Sequence, residues 1–202
     1  MSKRSLTQGE IRLAHSIFAH AIDYDAVRVY DRGYAFLNAT GNMSYRGNIY
    51  LPDSYNHDFS QASLPQQRLF IHESVHVWQH QNNVLNLAVA AMREGVKHQL
   101  HYARAYLFRL EPGKDLLDYG LEQQAAIIEE YFLRQHGGPL MGRCLNTESE
   151  TPALLDGVLK NFLDNPAYAR RQSRIEKLAR PARLFAGWTP SRSQSTDRPY
   201  AV

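Results

Sequence analysis

The apolar positions change period along the chain, and the changes mark out its elements. Over residues 5–22, "SLTQGEIRLAHSIFAHAI", Ile11, Ala14, Ile17, Phe18 and Ala21 recur at helical spacing. Ser5 or Thr7 can cap this helix, and Glu10 stands three residues after Thr7, the spacing of a capping box. The next stretch, "AVRVYDRGYAFLNATGNMSYRGNIYLP", carries strand formers at Val27, Val29, Tyr34, Phe36, Tyr45, Ile49 and Tyr50. Turn signals at Asp31-Arg32-Gly33 and Thr40-Gly41-Asn42 interrupt it, so a small sheet of about three short strands is expected, ending with "GNIYLP" at 47–52. A polar loop at 53–65 ends in Ser63-Leu64-Pro65, a helix start. Helical patterns then cover 65–82, 85–109, 119–136 and about 150–163, with a basic fifth at 166–179. From Arg180 the chain is rich in Pro, Ser and Arg and reads as a loosely ordered tail, with Leu184, Phe185 and Trp188 able to dock back.

These patterns fit one domain over 1–180 and a tail over 181–202, with neither an internal repeat nor a second domain. Hydrophobic residues at 44% and charged residues at 21% suit a chain with a real core. The single cysteine, Cys144, excludes an internal disulfide framework and a multi-cysteine metal site. No stretch approaches the ~20 apolar residues of a membrane span, and the N-terminus lacks the apolar region of a signal peptide. The expected location is therefore the producer's cytoplasm, with any export left to another machine. Net charge is +3, and residues 168–202 hold eight Lys/Arg against two acids. No nucleic-acid-binding motif accompanies that basic end, which reads as a solvated helix face and tail.

The chemistry lies in "FIHESVHVWQHQ", residues 70–81. His72 and His76, four apart on a helix, lie on one face and can share a metal, while Glu73 projects to the side. That is the HExxH arrangement: two neutral imidazoles hold zinc, and the glutamate deprotonates a zinc-bound water whose pKa the metal lowers toward ~7. Ile71, Val75 and Trp78 flank the polar strip on one side, Phe70 and Val77 on the other. A narrow polar strip in a largely buried helix must have its polar groups satisfied, as metal-bound imidazoles would be. The competing reading is a pair of hydrogen-bonded core histidines with a neighbouring glutamate. His80 lies about 12 Å along the helix from His72, too far to share the ion, and is expected at the surface or behind a ligand.

A catalytic zinc needs a third protein ligand. The stretch after His76 lacks the further glycine and histidine of a metzincin, so the ligand comes from elsewhere. Candidates are a glutamate in "YGLEQQAAIIEEYFL", His98 or His101, and His57. Glu122 is favoured, because Ala125 and Ala126, one turn on, would let its helix approach closely. Glu129, two turns along, could accept a hydrogen bond from a ligand imidazole, although for Glu129 and Glu130 a solvated helix face is the simpler expectation. Tyr102, Tyr106, His98 and His101 are candidate oxyanion donors.

With "LTQGEIRLAHSIFAHAIDYDAVRVYD", "GNIYLP", "FIHESVHVWQHQ" and "DYGLEQQAAIIEEYF", the chain resembles a bacterial family over roughly residues 6–132. This is the zinc metallopeptidase domain found as a C-terminal extension of VgrG spike proteins and in stand-alone Vgr-related proteins of type VI secretion systems. The resemblance implies one zinc ion on His72, His76 and Glu122, with Glu73 as general base. It also implies a toxin injected into the periplasm of rival bacteria, carried by VgrG or another secretion component, acting on a peptide or protein and countered by an immunity protein. Gly120 departs from it, since Asn is expected there. The fold expected is α+β, a mainly helical zincin-like metallopeptidase with a small sheet and HExxH on a central helix. In such a fold an edge strand can pair with an extended substrate, and "GNIYLP" is the candidate edge. Two alternatives stand beside peptide hydrolysis in proteins: cleavage of cell-wall peptides, or a non-catalytic adaptor of the secretion apparatus with a vestigial zinc site.

Overall fold

The computed structural model describes residues 2–34, 41–84 and 105–170. Four strands and four α-helices of eleven residues or more make a mixed α and β architecture among them: β1 (Lys3–Ser5), α1 (Gln8–Phe18), β2 (Arg28–Tyr30), β3 (Met43–Tyr45), β4 (Asn48–Tyr50), α2 (Leu64–Gln81), α3 (Leu121–Gln135) and α4 (Thr151–Asp164). Most of the expected helix at 85–109 and of the basic helix at 166–179, and the whole tail, lie outside the described residues. The expected end of the first of these, residues 107–109, is not helical. Phe108 pairs with Cys144 through Phe108 N–H to Arg143 O (3.1 Å) and Leu145 N–H to Phe108 O (2.9 Å).

Of the two expected caps of the first helix, Ser5 belongs to the sheet, and the helix starts at Gln8. Thr7 caps it, accepting from Glu10 N–H at 3.0 Å, while the Glu10 carboxylate accepts from Thr7 N–H at 2.9 Å. The same buried carboxylate takes two hydrogen bonds from Arg4 and one from Phe59 N–H, tying β1 and α1 to the loop that leads into α2.

The sheet order is β1-β2-β4-β3, with β2 and β4 parallel and the other pairs antiparallel. The β3–β4 hairpin turns through Arg46 and Gly47, both at positive φ (50° and 76°), as a two-residue turn of primed type requires. This corrects the expected edge: β4, within "GNIYLP", is an interior strand, and β3 is the edge beside α2. Side chains alternate across the sheet. Val29 and Ile49 enter the core, and Tyr30 and Tyr50 stack on the other face with ring centroids 4.6 Å apart.

The core fills the space between the sheet and the helices. Pro65 in the first turn of α2 follows the N-cap Ser63. Phe70, Ile71, Val75, Val77 and Trp78 are buried around that helix. It packs along α3, where Ala125 and Ala126 are buried. At its far end Trp78 donates to Pro166 O (2.8 Å) and meets Phe162 edge to face. Burying such aromatic rings contributes on the order of 2–3 kcal/mol each, so α2 is anchored at this end.

Candidate metal centre

The strip expected on α2 faces α3. His72 and His76 lie one turn apart with rings at 5.1 Å, and Glu122, in the first turn of α3, reaches both. Its Oε2 is 3.5 Å from His72 Nε2 and 3.4 Å from His76 Nε2. The three ligand atoms lie within 4.8 Å of one another. Of the other third-ligand candidates, His57 is exposed in its loop against Tyr55, and His98 and His101 lie outside the described residues. His80 is exposed.

Each imidazole is held from behind. His72 Nδ1 is 2.9 Å from Glu129 Oε2, and His76 Nδ1 is 2.8 Å from Gln79 Oε1. Both partners are acceptors, so each Nδ1 carries the proton, a tautomer inferred from the hydrogen-bond network. Each Nε2 is then left facing the Glu122 carboxylate. Glu129 is 1% exposed, which corrects the expectation of a solvated face there. It is paired with Arg68 and accepts from Arg143 Nη1 at 2.7 Å. Glu130 is 3% exposed and is bound by Arg134. Arg143 also lies over the Tyr106 ring, at 4.7 Å from its centroid, and that ring stands 5.8 Å from His72.

Gln79 and Gln124 were not singled out from the sequence, yet they complete the frame. Gln79 Nε2 donates to Gln124 Oε1 and to Leu121 O, both at 3.0 Å, and Gln124 Nε2 donates to Tyr119 O at 2.7 Å. The chain of amides fixes His76 to the start of α3. The available signal was spacing, since Gln79 lies three residues after His76 and Gln124 two after Glu122. Gly120 is the N-cap of α3, with ordinary φ and ψ, and its N–H donates to Gln123 Oε1 at 3.0 Å. Glycine in place of asparagine at an N-cap costs only about a few tenths of a kcal/mol, so this departure leaves Glu122 where the helix start puts it.

No family model matches the chain. It is 40% identical over 162 residues to the type VI secretion system spike protein VgrG2b of Pseudomonas aeruginosa. The match covers 79% of this chain and 15% of the spike protein. The solved effector domain of Pseudomonas aeruginosa VgrG2b shares 35% identity and a TM-score of 0.57, over 80% of this chain and 82% of that one. The chain belongs to the VgrG2b effector-domain family.

In this member of the VgrG2b effector-domain family the electrostatics of the cluster suit a cation. Glu122 Oε2 is buried with no hydrogen-bond partner among the described residues, although two imidazole nitrogens face it just beyond good bonding distance. An unsatisfied buried carboxylate oxygen is costly. Two nitrogens and one oxygen around a small gap are the donor set of a catalytic zinc site, so the residues fit that metal. Protons on the imidazoles offset the charge of the carboxylates. Burial opposes a charge on His72, but the carboxylates of Glu122 and Glu129 outweigh it and raise its pKa to about 9. His76 is raised against the same burial by Glu122. Burial would push Glu122 up, yet the two imidazoles hold it well below the usual carboxylate range. Glu73 moves the other way: its burial dominates, and His76, His72 and Ser44 only partly offset the rise. An acid above its ordinary pKa beside others held below theirs is the pattern of groups with different roles.

Proposed function

We propose that this effector domain is a zinc metallopeptidase and acts as an antibacterial toxin of the type VI secretion system. The observation that carries the reading is the convergence of His72 Nε2, His76 Nε2 and a Glu122 Oε2 without a hydrogen-bond partner among the described residues, with the buried Glu73 carboxylate near enough to interact with all three. His72, His76 and Glu122 would hold one zinc ion, which when bound supplies Lewis acidity toward a carbonyl oxygen and toward water. Glu73 is the general base: its carboxylate accepts a proton from the attacking water and returns it to the leaving amine. A base above its ordinary pKa is well matched to both halves of that task. Glu129 and Gln79 keep the two imidazoles turned toward Glu122. Among the described strands β3 lies at the sheet edge beside Glu73, where an extended peptide can pair with it. The arrangement is that expected of a zincin-like peptidase.

Kinship with a spike protein supports delivery by the secretion apparatus, with the target-cell periplasm as the site of action and an immunity protein in the producer. No helix among the described residues is long and apolar enough to cross a membrane. The test begins with metal content. The wild type should bind one zinc ion per chain and Glu122→Ala should bind none at equal zinc, whereas Glu73→Ala should keep the ion and lose hydrolysis. Zymography on denatured protein against cell wall identifies the substrate class. A wild type without bound metal, or a Glu73→Ala variant of full activity, would remove the reading.

A further inference from the structure

Glu73 has a partner that the motif around it does not contain. Ser44 is the middle residue of the edge strand β3 and pairs with Ile49 in the neighbouring strand, so it shares the core-directed face rather than the tyrosine face. Its hydroxyl stands 2.9 Å from Glu73 Oε2 and 2.9 Å from the Glu73 carbonyl oxygen. A serine hydroxyl has one proton to donate. Inside a helix the carbonyl already accepts from the backbone four residues on, and a charged carboxylate is the stronger acceptor. The proton therefore goes chiefly to Oε2. A glutamate side chain has three rotatable bonds, and a bond at its tip from a strand of the sheet removes much of that freedom.

We propose that Ser44 is the positioning residue of Glu73, holding its carboxylate at one angle to the imidazole pair from the strand that lies along the site. This rests on the reading of Glu73 as general base. The edge that would receive an extended substrate then also sets the direction of the base, so strand register and proton transfer are aligned by one element. A reacting group misplaced by about 1 Å can cost ~10²-fold in rate, which sets the scale of the effect.

The test uses the full chain loaded with zinc. Ser44→Ala should lower kcat about ten- to a hundredfold while KM and zinc affinity, measured by chelator competition, stay within about twofold. Ser44→Thr, which keeps a hydroxyl at the same position, should recover most of the loss. A readout independent of turnover comes from denaturation of the metal-free protein. The destabilisation caused by Ser44→Ala should shrink when Glu73 is already alanine, because the partner is gone. Wild-type kcat in Ser44→Ala beside an inactive Glu73→Ala would overturn the role of Ser44 and leave the base standing. A joint fall in kcat, zinc affinity and stability that Ser44→Thr does not relieve would mark a merely structural serine and also overturn it. Full hydrolysis by Glu73→Ala, or none by the wild type, would overturn the base and this role together.

Discussion

His72 and His76 lie one turn apart on the same helix, yet their rings are held by different kinds of partner. Behind His72 stands Glu129, a buried carboxylate paired with Arg68 and Arg143. Behind His76 stands Gln79, a neutral amide that continues through Gln124 to the backbone before α3. A carboxylate raises the donor strength of the imidazole it binds, but a buried charge must be compensated. The two guanidiniums do that at His72. Glu73, Glu122 and Glu129 already crowd this cluster, and a further carboxylate at His76 would add like-charge repulsion. The amide orients the ring at no cost in charge. One imidazole is thus tuned and the other merely aimed.

Replacing each partner in turn would break or sharpen that contrast. The largest effect is expected from Glu129→Ala, which frees His72 and leaves Arg68 and Arg143 without their shared partner: zinc affinity should fall about 100-fold. Calorimetric titration or chelator competition checks it, and a loss smaller than that of Gln79→Ala would reverse the contrast. Gln79→Ala should cost about tenfold in affinity, since only orientation is lost. Gln79→Glu is the sharper version: a carboxylate has no N–H for Leu121 O and Gln124 Oε1, so it should lower the urea midpoint more than it alters zinc affinity.

A separate effect, read on stability rather than affinity, is one of pH on the metal-free protein. The His72 pKa is raised to about 9 from an ordinary 6.5, so protonation favours the folded state. The resulting stability is fully present below about pH 6.5 and is lost as pH rises through about 9. Urea midpoints of the apoprotein should fall across that window. In Glu129→Ala the slope should flatten, and with zinc bound it should vanish because the metal replaces the proton.

The sequence carried those features that depend on neighbours in the chain. The Thr7–Glu10 capping box, Pro65 at the start of α2, and the His72–Glu73–His76 spacing are local, and the structure has each at its expected place. Glu122 was legible only as a choice among several, because nothing local says which later segment meets α2. Glu129 was misread as solvated for a physical reason. A carboxylate is buried only when compensated, and Arg68 and Arg143 lie 61 and 14 residues away in the chain. The edge strand was misassigned for a similar cause. "GNIYLP" has the composition of a good strand, but the parallel pairing of β4 with β2 moved the edge to β3.

By itself the sequence determined a helix bearing two imidazoles and a glutamate on a strip too narrow for a surface, because helical spacing and apolar flanks are matters of 3.6 residues per turn. Tertiary structure alone decided which acid meets those imidazoles, which charges make a buried Glu129 tolerable, and that a serine from the sheet edge touches Glu73. These are pairings across the chain, set by how α2, α3 and β3 pack around one core. Hydrogen bonds and ion pairs are short-ranged, so no pattern along the chain could specify them before the elements met.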